Sequence, residues 1–351
     1  FNDPNNVVVG APFGNKYIKI QGQSSPNNND VLPADSGSLR GPFIKFDGFF
    51  TNGSNGSWRP LTGTNQSGTA PIGVALGIGG TGWNGGRRYF GATSNTPDAA
   101  KWLYTKATQT PFTIDNNLSG GVGSFTWTGY FYLNVGLNDT GANVTLKLER
   151  KYELQSNSSF IKETTTITNI DPENDPATNL RWWTGVEWAY GGIWEFNDPD
   201  LLRGNISGGS FAPVSLVGAD NQYQATSSLT AQSNAVVISP DYPGVGSSTS
   251  PSASQNTRAL AFFYSTHPDT RSIIAPQQYW GGHEIAANHI DPASSDSIGS
   301  STNSYALYLP LGDLSKDQSV SFNTYLGRST YANFATDLAA LIPDVTPPTL
   351  A

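Results

Sequence analysis

Long stretches of this chain alternate apolar and polar residues one by one. The pattern is clear in Tyr17-Ile18-Lys19-Ile20, Ser124 to Phe131, Val144 to Glu149, Phe160 to Thr168 and Ser319 to Tyr325. A period of two sends successive side chains to opposite faces of a strand, one toward a core and one toward water. β-branched and aromatic residues dominate these stretches, and such residues suit a pleated, half-buried surface. Between strands lie Asn52 to Gly56, Asn116 to Gly121 and Asn138 to Asn143, whose Gly and Asn tolerate the positive φ of tight turns. The pattern predicts an all-β fold, a large antiparallel β-sandwich with one or two short peripheral helices. The helices are expected over Tyr331 to Leu341, with Phe334, Leu338 and Leu341 on one face before Pro343, and over Asp98 to Tyr104. Residues 1–342 read as the sandwich domain, as one unit or two packed sub-sandwiches. Residues 343–351, with Pro343, Pro347 and Pro348, read as a proline-stiffened linker.

Composition narrows the function classes. Of the 351 residues, 13% are charged, against about 25% in ordinary soluble domains. With 12% aromatic residues and 9 Trp, the chain has the apolar mass that disordered segments lack. A hydroxyl-rich surface over an aromatic interior fits a protein exported from the cytoplasm, at the cell surface or beyond. The net charge of -8 and the scatter of its 19 Lys and Arg exclude a nucleic-acid surface, which needs clustered cations. With no Cys, disulfides, thiolate zinc and thiol nucleophiles are ruled out. A chain with no Met that opens on Phe1 reads as a processed or truncated product whose leader is gone. No run of about 18 apolar residues is present, so no helical membrane span is expected.

Two segments carry a resemblance. The tail Asp344-Val345-Thr346-Pro347-Pro348-Thr349-Leu350 resembles the entry strand of bacterial Ig-like repeats in long surface adhesins. The opening Phe1-Asn2-Asp3-Pro4-Asn5-Asn6, the run Phe160 to Thr168 and then Asn169-Ile170 and Thr178-Asn179-Leu180-Arg181-Trp182 are similar to large exported bacterial proteins, including calcium-dependent repeat-toxin-type ones. Where that family often carries an Asp-Pro-Asp motif, this chain has Gly185-Val186-Glu187-Trp188. The resemblance implies an adhesin-like N-terminal module with a large β-sandwich, distantly similar to aldose-epimerase-like supersandwiches, followed by Ig-like domains of the same polypeptide. It implies no established activity.

The densest chemistry lies between Arg181 and Phe196. Trp183, Glu187, Trp188, Tyr190, Trp194 and Glu195 combine aromatic faces that stack on sugar rings with carboxylates that accept hydroxyl hydrogen bonds. The competing reading is a strand pair whose Trp residues fill the sandwich. Glu187 and Glu195 would also serve as a glycosidase carboxylate pair if about 5 or 6.5–9.5 Å apart. Trp280 and His283 join the ligand-binding candidates, and His283 with Glu284 has the makings of an acid/base pair. The spacing from His283 to His289 does not match a zinc-peptidase helix, which needs His at i and i+4. Gly77 to Gly82 lacks the strand-then-helix setting of a dinucleotide loop. Asp171, Asp175, Asp198 and Asp200 supply oxygens of the type calcium takes, making calcium the one candidate cofactor.

Three functions remain open at this point. The first is a noncatalytic module of a bacterial surface adhesin or filament that binds glycan, peptide or sister subunits. The second is an extracellular carbohydrate-active enzyme (epimerase-, lyase- or hydrolase-like). The third is a purely structural surface-layer or filament subunit.

Overall fold

The structure is a computed structural model. It describes residues 13–20, 42–45, 58–60, 64–65, 68–69, 72–78, 87–91, 113–133, 144–186, 200–213, 233–239, 259–276, 302–330 and 332–341. The expected all-β architecture is what the described residues form. β1 (Phe13–Gly14), β2 (Ile18–Ile20), β3 (Pro42–Lys45) and β4 (Trp58–Pro60) make a small antiparallel sheet, and β5 (Thr64–Asn65) pairs with β6 (Gly68–Thr69). β7 (Gly73–Ile78), β8 (Arg87–Gly91), β13 (Ala177–Val186), β18 (Arg271–Pro276) and β19 (Thr302–Leu314) form a five-stranded sheet in the order β18-β19-β13-β7-β8. The largest sheet takes β9 (Thr113–Ser119), β10 (Val122–Leu133), β11 (Val144–Leu154), β12 (Phe160–Asn169), β14 (Asp200–Ser207), β15 (Ser210–Pro213), β16 (Ala235–Ser239), β17 (Ala259–Ser265) and β20 (Ser319–Thr330). Its nine strands run β15-β14-β16-β17-β20-β12-β11-β10-β9.

The alternation decides which face is buried. Along β11, Val144, Leu146, Leu148, Arg150, Tyr152 and Leu154 are all buried and the residues between them are not. β12 does the same with Ile161, Glu163, Thr165, Ile167 and Asn169. These faces, with Phe125, Trp127, Phe322 and Leu326, meet Trp182, Leu307 and Leu309 of the five-stranded sheet in one core. The outward threonines of β12 pair with β20: Thr166 with Ser321 at 3.0 Å, Thr168 with Ser319 at 2.8 Å, and Thr164 with Asn323 at 2.8 Å.

A second apolar cluster covers the other face of the large sheet. Helix α1 (Phe334–Ala339) lays Phe334 and Leu338, followed by Leu341, over Ile206, Val237, Leu260, Phe262 and Tyr325. Phe334 lies 5.8 Å from Phe262 and 6.1 Å from Phe211, ring centroid to ring centroid. Gly327 makes room for this layer, since a Cβ there would come within 2.1 Å of the Phe262 ring. The helix expected over Tyr331 to Leu341 is thus present in shorter form. The one expected over Asp98 to Tyr104 lies outside the described residues, as do the turn clusters Asn52 to Gly56 and Asn138 to Asn143.

The turn expected over Asn116 to Gly121 is tighter than the sequence suggests. Residues 116–119 continue β9, and the hairpin closes on Gly120 and Gly121 alone, at φ 60° and 88°. Two successive positive φ values are the requirement of a type I′ turn, which matches the twist of the flanking strands. Asn15 fastens the small sheet to this half of the molecule. Its Nδ2 donates to the carbonyls of Gln155 and Ser158 at 2.8 Å each, while its Oδ1 accepts from the N–H groups of Tyr17 and Ile18. Phe13 then packs edge-on against Phe125 at 5.2 Å.

Three short crossovers, residues 170–176, 266–270 and 315–318, join the large sheet to the five-stranded one. Strand directions put all three at the same end of the sandwich, where β12, β17 and β19 finish and β13, β18 and β20 begin. Asn169, fully buried, ties two of them together. Its Nδ2 donates to the carbonyls of Asp175 (2.8 Å) and Leu314 (3.0 Å), and its Oδ1 accepts from Asp171 N–H. Replacing Asn169 with Ala leaves those three backbone groups without a side-chain partner, at about 1–3 kcal/mol for each that stays dry. Asn169→Ala is therefore expected to lower unfolding stability by about 2–4 kcal/mol, read from the urea midpoint at unchanged m-value. A loss below about 0.5 kcal/mol would show the junction is held by something else.

Candidate functional site

Two of the described strands that precede sequence candidates finish at the same end of the sandwich. β13 finishes at Val186 and β18 at Pro276, both at the end opposite the three crossovers, with β19 beginning between them at Thr302. Glu187 follows Val186 directly in the chain, and Trp280 and His283 follow Pro276. Strands that flank one common neighbour are about 10 Å apart. At the same end β14 starts at Asp200, paired with Ser239 of β16. Trp183 is a β13 residue opposite Tyr308 of β19 and Ala75 of β7. Glu187, Trp188, Tyr190, Trp194, Glu195, Trp280, His283 and Asp198 lie outside the described residues.

Of the acidic calcium candidates, Asp171 and Asp175 share the first crossover, and Asp200 starts β14. Asp171 lies in the first crossover and is 2% exposed. Its Oδ2 accepts from Thr145 N–H at 2.9 Å, and its Oδ1 from the N–H groups of Glu173 (2.8 Å) and Asp175 (3.3 Å). A carboxylate so occupied organises its own loop, and Asn174 turns that loop at φ 67°. Asp200 belongs to the opposite end of the large sheet, four strands away from β12, about 19 Å across the sheet. Among the described residues no group of three or more His, Cys, Asp or Glu is placed to hold a metal ion.

Between the two ends lies a polar cluster that sequence reasoning missed. Arg150 is 0% exposed, and its Nε donates to Glu163 Oε1 at 2.7 Å. Thr165 donates to the same oxygen at 2.8 Å, and Thr324 reaches Oε2 at 3.3 Å. The guanidinium lies 5.5 Å from the Tyr152 ring and 5.5 Å from the Trp182 ring, so each aromatic face meets the cation. Burial opposes the charge on Arg150, but Glu163 and Tyr152 outweigh it and hold its pKa above the ordinary value. Burial likewise pushes the Tyr152 phenol well up, against the neighbouring cation. A signal was available: Arg150 and Glu163 sit at core parity on two adjacent strands whose other core positions are mostly apolar.

Of the adjacent tryptophans in β13, Trp182 is 1% exposed and packs on Phe322 at 5.9 Å. For that residue the sandwich-filling reading holds. His267, the one described histidine, is in the second crossover. It is 8% exposed, its ring meets Phe322 edge-on at 6.5 Å, and its Nδ1 accepts from Asp269 N–H at 3.3 Å. Burial lowers its pKa from 6.5, with Asp269 acting in the opposite sense.

These features define a class: an all-β protein whose two main antiparallel sheets share one core and are joined at one end by three short crossovers. No family model matches the sequence, and no curated protein matches it. Solved structures give distant likenesses. An alpha-mannosidase from Enterococcus faecalis V583 aligns at 10% identity and TM-score 0.46, over 96% of this chain and 32% of that one. A galactose mutarotase-like protein from Lactobacillus casei ATCC 334 aligns at 11% identity and TM-score 0.37, over 92% of this chain and 99% of that one. An alpha-galactosidase from Lactobacillus brevis aligns at 11% identity and TM-score 0.33, over 91% of this chain and 39% of that one. The chain thus spans about a third of the length of the mannosidase.

Two outcomes follow from the buried groups. Arg150→Met alone leaves Glu163 charged and buried, and is expected to cost about 3–5 kcal/mol in urea unfolding. The double variant Arg150→Met/Glu163→Leu recovers most of that loss; a double variant as unstable as the single one would refute the pairing argument. For His267 the lowered folded pKa means the unfolded chain holds the proton more tightly. Its contribution is complete above the unfolded value of 6.5 and is lost as pH falls below it toward the folded value. The unfolding midpoint is expected to drop between about pH 7.5 and 5.5, and less steeply in His267→Asn, whose amide oxygen can still accept Asp269 N–H. Identical slopes in the two proteins would remove His267 from the account.

Proposed function

We propose that the chain is a noncatalytic, extracellular binding module that recognises saccharide at the end of the sandwich opposite the crossovers. The residues taken to make the contact are Trp183, Glu187, Trp188, Tyr190, Trp194, Glu195, Trp280 and His283. The observation that carries this reading is strand geometry. Trp183 lies within β13, and the segments bearing the other side chains follow Val186 and Pro276, at one end of one sheet, on strands separated only by β19. Aromatic faces stacking on sugar rings, with carboxylates accepting hydroxyl hydrogen bonds, are the chemistry those residue types share. A low charge content and the absence of Cys support export to a cell-surface setting, such as an adhesin or filament. In that setting the segment after residue 342 leads into further Ig-like domains. Calcium is the proposed cofactor, taken by the acidic segments that carry Asp175 and, separately, Asp198 and Asp200.

A glycan array probed with the full chain, once with calcium and once with chelator, tests the reading. Binding to at least one saccharide class is expected, and Trp188→Ala or Trp280→Ala is expected to weaken it about 10-fold, as loss of one aromatic contact of 1–1.5 kcal/mol predicts. Silence under both conditions would sink the proposal. Release of reducing ends, or exchange between anomers, from a bound saccharide would replace it with the enzyme alternative and with Glu187, Glu195 and His283 as its acid/base candidates.

A further inference from the structure

Among the buried polar atoms of the described residues, Trp182 Nε1 and Thr184 Oγ1 have no hydrogen-bond partner within the protein. Each residue is 1% exposed, so bulk water does not reach either atom. Trp182 and Thr184 are two apart on β13 and share the face turned to the large sheet, with Cα atoms about 6.6 Å apart. The indole is packed in the core, with the Arg150 guanidinium 5.5 Å and the Phe322 ring 5.9 Å from it. Glu163, the nearby carboxylate, already accepts from Arg150, Thr165 and Thr324.

We propose that an ordered water molecule is buried beside β13, accepting from Trp182 Nε1–H and pairing with the Thr184 hydroxyl. Buried polar groups in folded proteins are almost always hydrogen-bonded, and a buried water typically joins two to four of them. The occupant has to accept from an N–H and exchange a hydrogen bond with a hydroxyl. It also has to be neutral, because the Arg150 charge is already balanced by Glu163 in a region of low dielectric. Water meets all three conditions; an anion or a metal ion fails the last. The inference rests on described core residues and is independent of the saccharide reading. It gives Thr184 a role on the strand that ends just before Glu187: the bound water anchors β13 to the interior.

Crystals of the full chain, grown once without halide and once with bromide, test it. A water within hydrogen-bond distance of Trp182 Nε1 and Thr184 Oγ1, with no anomalous bromide signal there, is the expected result. Thr184→Val, which keeps the shape and removes the hydroxyl, is expected to lose or displace that water while the Trp182 ring stays in place. Should that variant fail to crystallise, hydrogen exchange of the Trp182 indole N–H, measured by NMR in wild type and Thr184→Ser, gives a second readout; matching slow exchange in both is expected. A protein acceptor on Nε1, an empty position or a bromide in place of the water would overturn the proposal.

Discussion

The hydrogen bonds of the Asn169 side chain govern how the two main sheets stand against each other. The amide is buried where two crossovers meet, and it joins β12, the Asp175 carbonyl and the end of β19 in one junction. A buried amide of this kind tolerates few alternatives, because a shift of either crossover strands a donor or an acceptor away from water. Asp171 repeats the logic one step along, with a carboxylate that turns three N–H groups inward. His267 does so in the neighbouring crossover, with its neutral ring nitrogen as acceptor. The three crossovers between the two main sheets are thus short and tied down by buried side chains at one end of the sandwich. Three long connections, residues 187–199, 240–258 and 277–301, leave from and return to strands at the other end.

The first and last of those connections are the ones the proposed binding role would use. Recognition surfaces tend to be carried on long connections held by a rigid scaffold. Here the scaffold is stiffened from within by the Arg150–Glu163 pair, held between Tyr152 and Trp182, and from outside by α1 over Phe262 and Tyr325. A buried ion pair contributes little net stability compared with apolar packing. Its geometric demand is strict, and it places β11, β12 and β13 in one relation through Glu163, Thr165 and the Trp182 ring.

The sequence made some parts of this legible and left others hidden, for reasons that can be traced to particular residues. The strands at Phe160 to Thr168 and Ser319 to Tyr325 were readable because one face of each is buried and the other wet. The end of the β9–β10 hairpin was not located, because Asn116 and Asn117 have the composition of a turn but are held in β9 by pairing with Phe125 and Ser124. Asp171 had the look of a calcium ligand, since an acidic loop has the same residue types whether it faces a cation or its own backbone. The Arg150–Glu163 pair was overlooked because a charge in a strand ordinarily marks the wet face. Only its parity with Leu148 and Tyr152 marked it as internal.

Sequence alone determined the fold class, since the period-two pattern is a property of neighbouring residues and survives without knowledge of any partner strand. It also nominated the aromatic and acidic residues around Trp183 and Glu187 as the chemically distinctive segment. Tertiary structure decided the strand order, the placement of all three crossovers at one end, and the departure of the Glu187 and Trp280 segments from the other. It decided too that Asp171 and Asp200 stand at opposite ends of the large sheet. These are relations between residues far apart in the chain, set by which strands pair and by which buried polar groups find partners, and no local pattern records them.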